Sequence, residues 1–213
     1  MKKFILLAII ALSISAFGQK APAKTTSASK EMSVKEYFLA IPTEYLKSDA
    51  KKRAAWIESE FAEDGYLSFN IPVKEITGED GEGKVFGSVQ VFKKKTSGVV
   101  IGMATNLCEE GVCVGQLLFL DYNNGKWDNV SSDLAPQPDN DEVIKILRAA
   151  PAFENKKLLK DGVEVPLYLF FGGSDKTVRF VAGGVNGDGG VSAKMFKWNG
   201  EMFKEFEYQE SPE

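Results

Sequence analysis

The 213-residue sequence contains no histidine. Without an imidazole, Ser-His-Asp and Cys-His catalysis as normally built are excluded, and so are zinc sites that use histidine. Cysteine is almost as scarce, with only Cys108 and Cys113. Two thiols without histidine make a thin ligand set, and their spacing is not that of a Cys-x-x-Cys redox motif. They bracket Glu109-Glu110-Gly111-Val112 between two predicted strands, so an oxidising compartment predicts a disulfide across the hairpin loop. Closing so small a loop is worth roughly 2 kcal/mol on the chain-entropy account. Long apolar runs are also missing after the first eighteen residues, which predicts no transmembrane segment once that leader is removed.

Several motifs are nearly present and fail on chemistry. Gly78-Glu79-Asp80-Gly81-Glu82-Gly83-Lys84-Val85 approaches a phosphate loop. Val85 has no hydroxyl for magnesium, three acids would repel phosphate, and a strand rather than a helix follows. Gly184-Val185-Asn186-Gly187-Asp188-Gly189 approaches a calcium loop, but its first ligand position is a glycine and no closing glutamate follows. Ser48-Asp49-Ala50-Lys51 and Ser27-Ala28-Ser29-Lys30 have Ser-x-x-Lys spacing without the partner motifs that penicillin-recognising enzymes need. No cofactor, metal or catalytic residue is assigned on this basis.

What the sequence does contain begins at its amino end. Lys2 and Lys3 precede an apolar stretch, Phe4 to Phe17, broken only by two serines, and Ala16 and Gly18 supply the small residues a signal peptidase requires. Residues 1–18 are therefore expected to be a cleaved signal peptide, with the mature chain periplasmic or secreted. No cysteine follows the apolar run, which argues against a lipid anchor. Residues 19–32 are rich in Ala, Pro, Lys, Thr and Ser and read as a flexible linker. The full chain has 26 basic and 30 acidic side chains. Loss of Lys2 and Lys3 leaves 24 against 30, a net −6 that opposes binding to a nucleic-acid backbone. The basic runs Lys51-Lys52-Arg53 and Lys93-Lys94-Lys95 are short and read as solvated faces.

Residues 33–210 are expected to form one mainly β (α+β) domain. Ser33-Val34-Lys35-Glu36 matches a capping box and opens a helix that Pro42 ends. A second helix is predicted from Ser48 or Asp49, carrying Ala54, Ile57 and Phe61 on one face until Gly65. Both would cover a sheet. From Tyr66 the periodicity becomes two. It runs through Tyr66–Ile71, Val85–Phe92, Val99–Thr105 and Val114–Tyr122, then Val163–Phe171, Thr177–Val181, Val191–Trp198 and Met202–Tyr208. Asn124-Gly125 and Asn199-Gly200 are two-residue hairpin signals. Asp139 or Asn140 caps a short helix, Glu142 to Ala150, between the groups of strands. The expectation is an antiparallel meander in two parts, possible related halves being 66–135 and 155–208, since short links disfavour a parallel sheet.

Three aromatic residues near hairpin ends, Tyr122, Trp127 and Trp198, are candidate stacking residues for a glycan or peptide, against the alternative of core or cross-strand packing. Asp121, Asp128, Asp139, Asp141 and Asp188 fall at strand ends or loops where a carboxylate-dependent hydrolase of polysaccharide or peptidoglycan would mount its acid and base. An exposed strand edge would suit an envelope-protein partner. The residues favour a non-catalytic binding or accessory module over the hydrolase.

Tyr37-Phe38-Leu39-Ala40-Ile41-Pro42 ahead of Arg53, the strand opening Asp64-Gly65-Tyr66-Leu67, and the Cys108/Cys113 hairpin running into Leu118-Phe119-Leu120-Asp121-Tyr122 and Lys126-Trp127 together resemble small exported bacterial proteins of unknown function, common in Bacteroidetes. The likeness extends from about Tyr37 to Val130. It implies a β-rich periplasmic or secreted protein and supplies no active site.

Overall fold

The computed structural model describes residues 31–72, 75, 84–109, 112–151, 153, 156, 159, 160, 162, 165–182 and 190–206. The predicted signal peptide, most of the linker and the glycine-rich segments 78–83 and 184–189 lie outside the described residues. The chain divides into two units, Met1–Glu31 and Met32–Glu213, and the secondary structure described here belongs to the second.

Two short helices come first. α1 (Val34–Ala40) starts at the Ser33 capping box, in which the serine Oγ accepts from the Glu36 amide and the Glu36 carboxylate accepts from the Ser33 amide. α2 (Ala50–Trp56) is capped by Asp49, whose carboxylate accepts from the Lys52 amide. The longer second helix expected from sequence is not formed. The chain turns extended after Trp56, and Ile57–Phe61 becomes strand β1, paired with β2 (Tyr66–Pro72). Edge pairing wins because a helix would leave the open side of β2 without partners.

β3 (Lys84–Lys93), β4 (Val99–Glu109), β5 (Val112–Asn123) and β6 (Lys126–Asn129) complete a six-stranded antiparallel sheet in chain order. After the one-turn α3 (Ser131–Leu134) and α4 (Asn140–Ala149), four more strands form a second antiparallel sheet, ordered β10-β9-β8-β7. These are β7 (Tyr168–Phe171), β8 (Thr177–Ala182), β9 (Val191–Trp198) and β10 (Phe203–Glu205). The predicted two-part meander is therefore present. Asp139 caps α4 by accepting from the Glu142 amide.

The layers follow from which face each side chain takes. α1 and α2 cover one face of the large sheet through Tyr37, Phe38 and Trp56 against Leu67, Phe69, Val89 and Ile101. The opposite face packs on the small sheet, where Phe92, Val100, Ala104 and Phe119 meet Leu169, Phe171, Val178 and Phe180. α4 packs Val143, Ile144 and Leu147 against Ala182 and Val191, on the same face of the small sheet as Phe180. The central strands are buried on both faces, so Val99 to Ala104 is buried without interruption and does not alternate.

Two glycines admit rings that a Cβ would exclude. A Cβ on Gly87 would lie 2.1 Å from the ring of Phe69, its cross-strand neighbour, and that ring in turn stacks on Phe38 at 4.9 Å. A Cβ on Gly102 would lie 2.7–2.9 Å from Phe171, Phe92 and Phe119.

The two Asn-Gly hairpins differ. Asn124 and Gly125 both have positive φ (51° and 83°), as a type I′ turn requires. At Asn199-Gly200 only the glycine does (φ 96°). There a wider loop closes between paired Trp198 and Phe203, with the Asn199 side chain accepting from the Glu201 and Met202 amides. The asparagine's hydrogen bonds, together with left-handed backbone at Gly200 alone, make that turn.

Candidate functional site

β5 is the longest strand, yet only its last four residues, Leu120–Asn123, pair with β6. Beyond them the chain peels away. The Val130 amide donates to the Phe119 carbonyl at 2.9 Å, and the Ser131 hydroxyl takes the Phe119 amide at 2.8 Å. Because the Asn124-Gly125 turn makes Asn123 and Lys126 a hydrogen-bonded pair, outward-pointing backbone groups recur at positions 121, 119, 117 and 115. Gly115 donates to the Leu167 carbonyl at 3.0 Å. Between Phe119 and Gly115, the N–H and C=O of Leu117 have no hydrogen-bond partner among the described residues.

This open length of edge faces a groove of about 460 Å³. Pro136, Gln137 and Pro138 form one wall and Val165, Pro166 and Leu167 the other, over a floor that includes Val143, Leu169 and Phe180. The wall before β7 is held by the Asn140 side chain, whose Oδ1 accepts from the Val165 amide at 3.0 Å. No charged residue lines the groove among the described residues. Val114 stands at its rim, 56% exposed. Pro136, Pro138 and Pro166 offer no N–H, whereas Leu117 of β5 presents both a donor and an acceptor to the groove.

The aromatic residues singled out from sequence do not form one surface. Tyr122 and Trp127 are cross-strand neighbours with rings 4.8 Å apart, and Tyr37 of α1 lies edge-on to Tyr122 at 5.3 Å. They belong to the helix-covered face. Trp198 belongs to the core between the sheets, against Phe92 and Phe203, and its indole N–H donates to the Lys93 carbonyl at 2.8 Å. Cys108 and Cys113 are direct partners in the β4–β5 ladder, and no cysteine is free among the described residues. The side chain of Cys113 lies outside them.

The aspartates scatter as well. Asp121 is paired with Lys94 at 2.5 Å and stands opposite Asp128, which is exposed. Asp139 caps α4, Asp141 sits in the exposed first turn of the same helix, and Asp188 lies outside the described residues. No cluster of three or more metal-ligating side chains occurs among the described residues.

One basic residue was misplaced by sequence reasoning. Arg53 is 1% exposed and not part of a solvated run. Its guanidinium donates to the carbonyls of Phe38 (3.1 Å), Leu39 (3.2 Å), Ile41, Leu46 (3.4 Å) and Ser48 (2.5 Å). α1 ends without a basic residue in its last turn, and Arg53 supplies that charge from α2. Burial lowers the pKa of its guanidinium. The signal that would have found it is the proximity of Arg53 to a helix end closed by proline, which is tertiary information.

No known protein family matches the sequence, and no curated protein does. Among solved structures, a domain of an uncharacterized protein from Porphyromonas gingivalis W83 is similar, with a TM-score of 0.50 and 13% identity over 81% of this chain and 97% of that one. At that identity the likeness concerns the fold alone. Its source is a Bacteroidetes organism, the group to which the sequence resemblance points. No helix among the described residues is long and apolar enough to cross a membrane.

Proposed function

We propose that this chain is an exported, non-catalytic binding module that captures an extended peptide segment of another protein along the open edge of β5. The observation that carries the reading is the backbone of Leu117, unpartnered among the described residues, facing a groove with no charged lining among them. A peptide laid there completes the ladder with its own backbone and places alternate apolar side chains between the proline walls. An apolar pocket with a few convergent polar groups is the usual form of a binding site. The apolar stretch behind Lys2 and Lys3 supports export, and a sequence without histidine supports a non-catalytic role.

The test uses linear peptides selected against the full chain from a random display library. Bound peptide should slow hydrogen exchange at the Leu117 amide, and Val114→Lys at the groove rim should weaken binding at least tenfold. Selected peptides that leave Leu117 exchange unchanged, or that bind Val114→Lys as tightly, would refute the reading.

A further inference from the structure

A second site stands apart from the β5 groove, on the face of the large sheet that meets the small one. Where that face is covered by β8 and the inner residues of β7, it is apolar, as Phe92, Val100, Ala104 and Phe119 show. Toward the β1–β2 edge it changes character. Strand register places Ser59, Ser68 and Ser88 side by side across β1, β2 and β3. The next row, from β2 to β4, is Asn70, Phe86 and Asn106. A face meant only for packing would carry aliphatic residues there, because a buried hydroxyl returns little and costs its hydration.

Ser68, Ser88 and the Asn70–Phe86–Asn106 row border a cleft of about 200 Å³ that Tyr168 and Phe170 overhang from β7, with Ser59 behind Ser68. Several of its polar groups are already positioned by one another. Ser59 and Ser68 share a 2.7 Å hydrogen bond, the Asn70 amide donates to the Glu58 carboxylate, and Tyr66 hydrogen-bonds Ser88. Asn106 is locked by two 2.7 Å bonds to the Leu169 backbone, which fixes β7 above the cleft. Burial raises the pKa of both Tyr66 and Tyr168, so their phenols stay protonated and able to donate. Phe86 is 40% exposed at the rim.

Ligand chemistry follows from this composition. Hydroxyls both donate and accept, an amide and a carboxylate take adjacent donor–acceptor pairs, and an exposed aromatic ring covers an apolar C–H face. A sugar ring presents all three complements. Glu58 is the one charged residue among the described lining, so nothing there neutralises an anion. We infer that this cleft binds one ring of a neutral saccharide, stacked on Phe86 and hydrogen-bonded by Ser68, Ser88 and the Asn70–Glu58 pair.

The test titrates the full chain with maltose, cellobiose and chitobiose, and with sialyllactose as an anionic probe, following backbone amide resonances by NMR. At least one neutral disaccharide should give saturable shifts centred on residues 66–70, 86–88 and 168–170, with sialyllactose at least tenfold weaker. Phe86→Ala should weaken binding about tenfold, and Tyr168→Phe, which keeps the ring, should weaken it less. Val114→Lys, which addresses the peptide groove, should leave sugar binding unchanged, so the two sites fail independently. The inference is overturned if no neutral sugar shifts the cleft resonances, if sialyllactose binds equally, or if both cleft variants remain folded and bind as the parent does.

Discussion

Replacing Arg53 probes a guanidinium buried against main-chain carbonyls, with no ion pair to it among the described residues. Five main-chain carbonyls surround it, three from the end of α1 and two from the turn before α2. Arg53→Ala removes every donor at once and opens a cavity between the helices and the sheet. If two of the carbonyls stay buried at about 2 kcal/mol each, the loss is about 4 kcal/mol. In a domain of this size about 3 °C of Tm accompanies each kcal/mol, so melting should fall by about 10 °C. Arg53→Met separates volume from hydrogen bonding. It refills much of the space without a donor and should recover little. Arg53→Lys keeps the charge but offers three donors without the planar fork, so its loss should lie between those of the parent and the alanine variant. Urea unfolding and thermal melts followed by circular dichroism measure all three. If Arg53→Met melts within a degree or two of the parent, the carbonyls find water instead, and the capping argument is wrong.

Other substitutions test separate parts of the architecture. Gly102→Ala should destabilise by about 1–3 kcal/mol in urea, since its Cβ meets three phenylalanine rings at 2.7–2.9 Å. Asn106→Ala should cost about 2–3 kcal/mol by stripping both backbone partners from Leu169, and exchange at the Leu169 amide should accelerate. If Cys108 and Cys113 are joined as their opposition in the ladder suggests, thiol titration of the unreduced chain should find no free sulfhydryl. Reduction should then lower stability by roughly 2 kcal/mol. Burial works to raise the Asp175 carboxyl, but hydrogen bonds from the Thr177 hydroxyl, the Arg179 guanidinium and the Thr177 amide hold it below its ordinary 3.8. A lowered carboxylate pKa stabilises the fold at pH above 3.8, and that contribution is lost as pH falls through the folded-state value. Asp175→Asn should therefore flatten the stability profile below pH 4. An acid limb identical to that of the parent would refute the assignment.

Sequence alone decided what is local or compositional. The Ser33-Glu36 box and the Asp139 cap are made by side chains within four residues of the backbone groups they satisfy, and the Asn124-Gly125 turn by the positive φ of its own two residues. They were legible without knowing what lay above or below. The antiparallel class follows for the same reason, because short links leave no length for a crossover.

Only the tertiary structure decided the rest. Ile57 to Phe61 has an acceptable helical pattern and became a strand because β2 offered an edge to pair. Val99 to Ala104 is buried on both faces because a second sheet covers what alternation would leave wet. Tyr122 and Trp198 read alike in sequence, yet the sheet's two faces send them to different cores. Arg53 looks like its solvated neighbours until a helix end from fifteen residues earlier is folded over it. Both candidate sites belong to this second kind. The groove exists because β6 stops pairing early, and the polar cleft exists because three serines distant in sequence fall into one row. Burial and register depend on which strands meet, and chain order does not encode that in any local window.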